Sequence, residues 1–352
     1  MQDRTFEIAV LPGDGIGPEV THEAVRILNA VVKKVDGISL SFTEQSVGAQ
    51  EFLKNGDPLP ESAFETCRQS DAVLLGAMGM PSVRWPDGRE MTPQIDLRER
   101  LDLYNGLRPI YLYAQEDSPL KNYKAGEIDF VIVRENTEGL FAARTDPQEQ
   151  TREEARDIML ITRKGSERIF RAAFTEAMSR RKKVTLVDKA NVLPSMVLFR
   201  EIFHEIATEF PEVETEVVYV DAAALFLVQR PDTFDVIVTE NMFGDILSDL
   251  AAGLVGGMGM APSGDIGTDC AVFQPSHGTA PDIAGQGKAN PVATILSGAM
   301  LLEWLDHPEA KRAGELLREA VKKALADPTN RTGDMGGNRT TQQMGDAILS
   351  YL

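Results

Sequence analysis

The chain has 352 residues, with 36 Lys and Arg against 54 Asp and Glu, for a formal charge of −18 at pH 7. The length and a hydrophobic share of 43% predict a globular protein of two domains, each large enough to bury its own core. The acidic balance excludes nucleic acid as a partner class, because phosphates are held by clustered Lys and Arg, but it leaves room for a local site for small anions.

Taken from the N-terminus, residues 1–10 lack a basic start followed by an apolar stretch, which argues against a signal peptide. Residues 6–11 read as a strand and 18–35 as a helix, with Pro18 suited to the first helical turn. The turn between them, LPGDGIGPEV (11–20), has the spacing G-x-G-x-G-P, not the G-x-G-x-x-G of a dinucleotide fold, and alone is a tight βα turn. Strands follow at 72–75 and 130–133, and the acidic stretch 145–154 reads as a loop or protruding arm. A helix is predicted at 165–180, then a strand at 184–187, a helix at 194–209 and a strand at 217–220. The longest apolar run, 222–228, falls far below the ~20 residues that span a bilayer. A strand at 236–239 and helices at 245–250 and 290–305 complete the pattern. Such alternation predicts an α/β protein with largely covered sheets. Cys67 and Cys270 fit neither a disulfide framework nor a zinc spacing and read as buried thiols in a reducing compartment, the cytoplasm.

Several predicted strands finish on a charged side chain: Arg134, Lys189 and Asp221. In open α/β sheets ligands bind beyond the carboxyl ends of strands, so a cation, an amine and a carboxylate there form a complementary set. Asp245 and Asp249 lie four residues apart, which on a helix puts two like charges on one face. Either a divalent cation relieves that repulsion, with Asp221 as a third oxygen ligand, or Asp245 caps the helix and Asp249 is solvated. An all-oxygen set suits Mg²⁺ or Mn²⁺. Arg98, Arg108 and Arg134 in an acidic chain point to a small polyanionic substrate, since guanidinium groups grip carboxylates in bidentate fashion. In the small-residue segment from Pro275 to Pro291, close backbone approach to a ligand is possible, and Asp282 is suited to ribose hydroxyls and against a 2′-phosphate.

The segments LPGDGIGPEV (11–20), LRERLDLYNGLRP (97–109), VRENTEG (133–139), DKANVL (188–193), NMFGDILSDL (241–250) and HGTAPDIAGQGKANP (277–291) together resemble the β-decarboxylating dehydrogenases. That family includes isopropylmalate, isocitrate, homoisocitrate and tartrate/D-malate dehydrogenases, and the resemblance covers almost the whole chain. It implies a two-domain α/β fold of the isopropylmalate-dehydrogenase type, not Rossmann, working as a homodimer with shared active sites. Residues 1–103 with 256–352 would form a cofactor-binding domain, and 104–255 a substrate and dimerisation domain with an arm near 140–160. Carried over position by position, Arg98, Arg108 and Arg134 would hold the malate carboxylates. Asp221, Asp245 and Asp249 would bind Mg²⁺ or Mn²⁺, with Lys189 as the catalytic base. Asp221 and Lys189 would both reach in from the partner.

His277, Gly278, Thr279, Ala280, Asp282, Ile283 and Asn290 would line the adenosine pocket, and Asp282 with Ile283 implies NAD. The implied reaction moves hydride from C2 of a 2-hydroxy acid to nicotinamide, while Lys189 takes the hydroxyl proton and the β-carboxylate leaves as CO₂. Thr92 and Gln94 sit where isocitrate relatives carry Ser and Asn, which suits a polar substituent; isopropylmalate relatives frame an apolar group there. Two further positions depart from the pattern: Phe141 replaces a tyrosine that aids protonation, and Gln274 replaces an acidic residue. The expected substrate is a 3-substituted malate of the 3-isopropylmalate kind. Tartrate or D-malate and isocitrate or homoisocitrate are the enzymatic alternatives, and a regulatory subunit the non-catalytic one.

Overall fold

The structure, a computed structural model, describes residues 4–144 and 153–352. The chain divides into two compact units, Met1–Leu101 with Gly256–Leu352, and Asp102–Val255. It starts in the first unit with β1 (Arg4–Gly13), α1 (Gly17–Val31), β2 (Ile38–Glu44), α2 (Ala49–Asn55), α3 (Glu61–Gln69), β3 (Ala72–Ala77) and α4 (Pro93–Arg100). The second unit runs β4 (Asn105–Tyr111), β5 (Asp129–Glu135), α5 (Arg163–Met178), β6 (Lys183–Asp188), α6 (Pro194–Ala207), β7 (Glu214–Tyr219), α7 (Val220–Gln229), β8 (Val236–Thr239) and α8 (Asn241–Gly253). The chain then returns with β9 (Pro262–Ile266), β10 (Ala271–Pro275), α9 (Val292–Trp304), α10 (Pro308–Ala326) and α11 (Thr341–Leu349).

In the first unit the strands lie in the order β2, β1, β3, β10, β9, all parallel except the antiparallel pair β9–β10. Its centre is α9, in which every residue from Val292 to Leu302 is buried against α1, α10 and the strands. A helix buried on every side is apolar all round, as this one is. Cys67 and Cys270 are free thiols buried in this unit, as expected.

In the second unit the order is β4, β5, β8, β6, β7, with β4 antiparallel to β5 and the remaining pairs parallel. Alternation sends successive residues of β5 to opposite faces. Val131 and Val133 join the Phe170, Phe174, Phe199 and Phe203 core of α5 and α6, while Phe130 and Ile132 join Leu227, Leu247 and Ala251 of α7 and α8. Both faces of the sheet are therefore covered, which explains its continuous apolar strands. Because β5, β8, β6 and β7 all run the same way, their carboxyl ends share one edge, where Arg134, Lys189, Asp221 and the start of α8 lie.

Two boundaries differ from the sequence reading in ways that matter. The strand expected at 217–220 ends at Tyr219, and Val220 opens α7, so Asp221 sits in a first helical turn. The helix expected from Asp245 starts at Asn241, capped by Glu240, so Asp245 is an interior helical residue and not a cap. Most of the predicted arm, 145–152, lies outside the described residues. At its base Gly139 and Leu160 exchange backbone hydrogen bonds of 2.8 and 3.1 Å. Among the described residues no helix is long and apolar enough to cross a membrane.

Candidate active site

The second unit builds its polar edge around Arg134. Its side chain is 3% exposed, and its Nε and Nη2 donate to Oδ1 of Asn241 at 2.9 and 2.7 Å while Nη1 donates to Asp245. The carboxylate of Glu240 accepts from the amides of Phe243 (2.7 Å) and Met242 (3.1 Å), satisfying the free N–H groups at the start of α8. Burial pushes the Glu240 carboxyl pKa up and these amide bonds pull it back. Asn241 Nδ2 donates to the carbonyl of Glu138 at 3.0 Å, tying α8 to the loop after β5. Gly244 has no side chain because a Cβ there would press on Cβ and Cγ of Arg134. The small residue in NMFGD thus seats the guanidinium against the helix.

Asp249 lies one turn beyond Asp245. Partial desolvation, then the Asp245 carboxylate, push its pKa up, while Arg134 and Arg108 pull it down. Arg108, on β4, is buried and donates to the carbonyl of Leu107 at 3.0 Å. The Arg134 guanidinium also lies 5.6 Å from the ring centroid of Phe141.

Lys189 follows β6 directly and donates to Oδ1 of Asp221 at 2.7 Å, its side chain 26% exposed and that of Asp221 69%. The ammonium holds the Asp221 carboxyl below its usual range. Just before it, fully buried Asp188 accepts from Nε and Nη2 of Arg200 at 2.8 and 2.7 Å and from the amide of Ala190 at 3.1 Å, which fixes the strand end. Among the described residues no three His, Cys, Asp or Glu side chains gather as a metal site. Within one chain, then, Asp245 and Asp249 are neighbours, and Asp221 does not complete a three-carboxylate group with them.

In the first unit Arg98 lies on α4, near Thr92 and Gln94 at that helix's start. Its Nε donates to buried Asp265 at 2.7 Å. Oε1 of Gln94 is buried without a hydrogen-bond partner among the described residues. The loop carrying His277, Gly278, Thr279, Ala280, Asp282 and Ile283 is clamped to the LPGDGIG turn. The Ile16 amide donates to the Thr279 carbonyl at 2.9 Å, and Thr279 Oγ1 donates to the Gly79 carbonyl at 2.7 Å. Gly15, with φ of 60°, has its α-carbon against that same Thr279 carbonyl, so any side chain would collide with backbone. A cavity of about 280 Å³ lies beside the clamp, lined by Ile16, His277, Ile283, Ala289, Asn290 and Asp334 among others. Asn290 Nδ2 donates to Asp334 at 3.1 Å. His277 Nε2 is buried with no partner among the described residues, and desolvation lowers the pKa of its ring. Gly278 and Asp282 are exposed.

Sequence reasoning did not find Ile16, Asp265 or Asp334. Ile16 carried a signal, since it stands inside a motif read only as a turn. The two aspartates carried none, as nothing local marks them.

A family model for isocitrate/isopropylmalate dehydrogenase matches residues 7–348. The chain is 50% identical to the 3-isopropylmalate dehydrogenase of Moorella thermoacetica, covering 99% of this chain and 98% of that protein. It is 44% identical to the 3-isopropylmalate dehydrogenase of Priestia megaterium, over 99% and 96%. Among solved structures, isocitrate dehydrogenase from Methylococcus capsulatus superposes with a TM-score of 0.89 at 40% identity, covering 98% of this chain and 99% of that one. The β-decarboxylating dehydrogenase of Thermococcus kodakarensis superposes with a TM-score of 0.82 at 41% identity, over 98% and 96%.

Proposed function

Because the chain belongs to the isocitrate/isopropylmalate dehydrogenase family and is an oxidative, decarboxylating dehydrogenase, we propose that it oxidises a 3-substituted malate of the 3-isopropylmalate kind, with NAD and Mg²⁺ or Mn²⁺. The observation that carries the substrate is near full-length similarity, at 44–50% identity, to relatives named for that reaction. In this reading Arg98, Arg108 and Arg134 bind the two carboxylates, and Lys189, oriented by Asp221 and acting as the neutral amine, takes the hydroxyl proton. The cavity beside Ile16 fits an adenosine moiety, since Ile16, Ile283 and Ala289 give it apolar walls and Asn290 and Asp334 place polar groups at its side. NAD bound there supplies the hydride acceptor. Asp245 and Asp249 fit one side of a divalent ion, whose charge would relieve the repulsion felt at Asp249. That ion supplies a Lewis acid for the substrate oxygen. Phe141 has no proton to give, so the decarboxylated product takes its proton from water or another residue.

A single chain offers two of the three expected metal ligands, and the third is assigned to Asp221 of a second copy, with Lys189 beside it. Support for such a homodimer comes from α7, an apolar helix in which only Ala223 and Leu227 are buried. Leu225, Val228 and Ile246 are large apolar side chains left 46–60% exposed on α7 and α8.

One observation favours a second reading, isocitrate: the isocitrate dehydrogenase of Methylococcus capsulatus matches this chain at 40% identity over nearly the full length of both. The deciding experiment measures NADH and CO₂ together with Mn²⁺ across 3-isopropylmalate, isocitrate, homoisocitrate, D-malate and tartrate. The expected result is highest kcat/KM for 3-isopropylmalate, with equal NADH and CO₂. A higher value for isocitrate would transfer the assignment to the second reading, and no NADH from any acid would remove both.

A further inference from the structure

Asp265 on β9 and Gln274 on β10 are diagonal neighbours on one face of an antiparallel pair, since Asp265 lies opposite Val272 and Gln274 opposite Ser263. Their side chains meet: Gln274 Nε2 donates to Asp265 Oδ2 at 2.6 Å, and the same oxygen accepts from Arg98 Nε at 2.7 Å. Asp265 is fully buried and the Arg98 side chain only 12% exposed. A carboxylate so deep is costly unless its charge is met and its lone pairs are filled, and here one oxygen takes both a cationic and a neutral donor. Only Nε of Arg98 is spent on the contact, and its two terminal nitrogens bond to no described residue. A guanidinium pinned by Nε has its plane fixed and its Nη fork left for a bidentate ligand. The Gln274 backbone is held in turn, because its main-chain carbonyl accepts from the hydroxyls of Ser263 at 2.7 Å and Ser297 at 2.9 Å. An amide at this position adds a donor without adding charge, whereas a carboxylate would place a second negative group against Asp265 in a buried site.

We propose that Asp265 and Gln274 are positioning residues that orient the guanidinium of Arg98 toward a carboxylate of the substrate. The inference rests on the reading of Arg98 as a substrate ligand, and the test separates the two. KM for the organic acid (3-isopropylmalate, or isocitrate should it be turned over faster) and KM for NAD are measured in Arg98→Gln, Asp265→Asn, Gln274→Glu and the double variant Arg98→Gln/Asp265→Asn. Arg98→Gln is expected to raise the acid KM about 100-fold and Asp265→Asn at least about 10-fold, with KM for NAD within about twofold. The double variant is expected to match Arg98→Gln alone, because a residue acting through Arg98 has nothing left to position. Should Asp265→Asn fail to fold, Gln274→Glu decides, with an expected rise of about fivefold or more in the acid KM alone. Equal rises in both KM values, or a double variant showing the full product of the single effects, would mean a merely structural role and overturn the proposal. An unchanged acid KM in Asp265→Asn and Gln274→Glu beside a raised one in Arg98→Gln overturns the positioning role only. An unchanged acid KM in Arg98→Gln removes the substrate role of Arg98, and this inference with it.

Discussion

Lys189 is the residue on which the proposed chemistry turns, and its surroundings allow that role to be tested without unfolding the protein. The ammonium is partly exposed and its partner Asp221 largely so. An ion pair so exposed adds little to stability. The strand end is fixed by Asp188 and Arg200, which Lys189→Ala leaves in place. Lys189→Ala is therefore expected to lower turnover by about 10²–10⁴-fold, the usual value of a positioned base, with a melting temperature close to that of the parent. Turnover within a few-fold of the parent at saturating acid and NAD would take Lys189 out of the mechanism. At this scale the sequence was informative wherever a charge follows an apolar run, as at Arg134, Lys189 and Asp221. It was silent on Asp265, because the partner that explains this aspartate, Arg98, lies 167 positions away and no local pattern links them.

At the scale of elements, the end of β5 holds an uncommon buried acid. Glu135 is 2% exposed and accepts from the Thr137 amide (2.9 Å), the Thr137 hydroxyl (2.7 Å) and the Glu138 amide (2.6 Å). Desolvation outweighs these bonds and pushes its pKa up from 4.5 to about 7. Between those two values the folded chain holds a proton that the unfolded chain has lost, so this group makes the fold less stable as pH rises through the window. The whole shift corresponds to about 3 kcal/mol as an upper figure. Glu135→Gln removes that dependence. Denaturant unfolding at pH 5 and pH 8 is expected to show the parent losing about 2–3 kcal/mol more stability than the variant between the two. Parallel losses would mean that Glu135 titrates normally.

The same scale shows which elements could be read in advance. Strands β3, β5, β6 and β8, and β1 from Ile8 to Leu11, are buried on both sides and write themselves as apolar runs. By contrast β2 is partly exposed, and β9, with the sequence PSGDI, carries a proline, a glycine and the buried aspartate, so neither presents such a run. The run at 222–228 gave no period, and only the structure shows it to be the helix α7.

For the whole molecule the question is whether one chain can make a complete site. Arg134, Asp245 and Asp249 cluster on α8 and β5, Lys189 pairs with Asp221, and among the described residues no three His, Cys, Asp or Glu side chains gather as a metal site. With a net charge of −18 two copies repel at long range, so association needs a local apolar patch such as the one offered by Leu225, Val228 and Ile246. If each site takes Arg134, Asp245 and Asp249 from one chain and Lys189 and Asp221 from the other, damage to the two sets is separable. Lys189→Ala and Asp249→Asn homodimers should each be inactive, since every site in them lacks one group. A mixed dimer has one site carrying both lesions and one carrying neither. Random assortment makes half the dimers mixed with one good site each, so co-refolding the two variants in equal amounts should restore about a quarter of parent activity. Mixing them under native conditions should restore it only as fast as subunits exchange. A molecule whose sites lie within single chains gives no recovery at any ratio, and that result would return Lys189 and Asp249 to one subunit and end the shared-site reading.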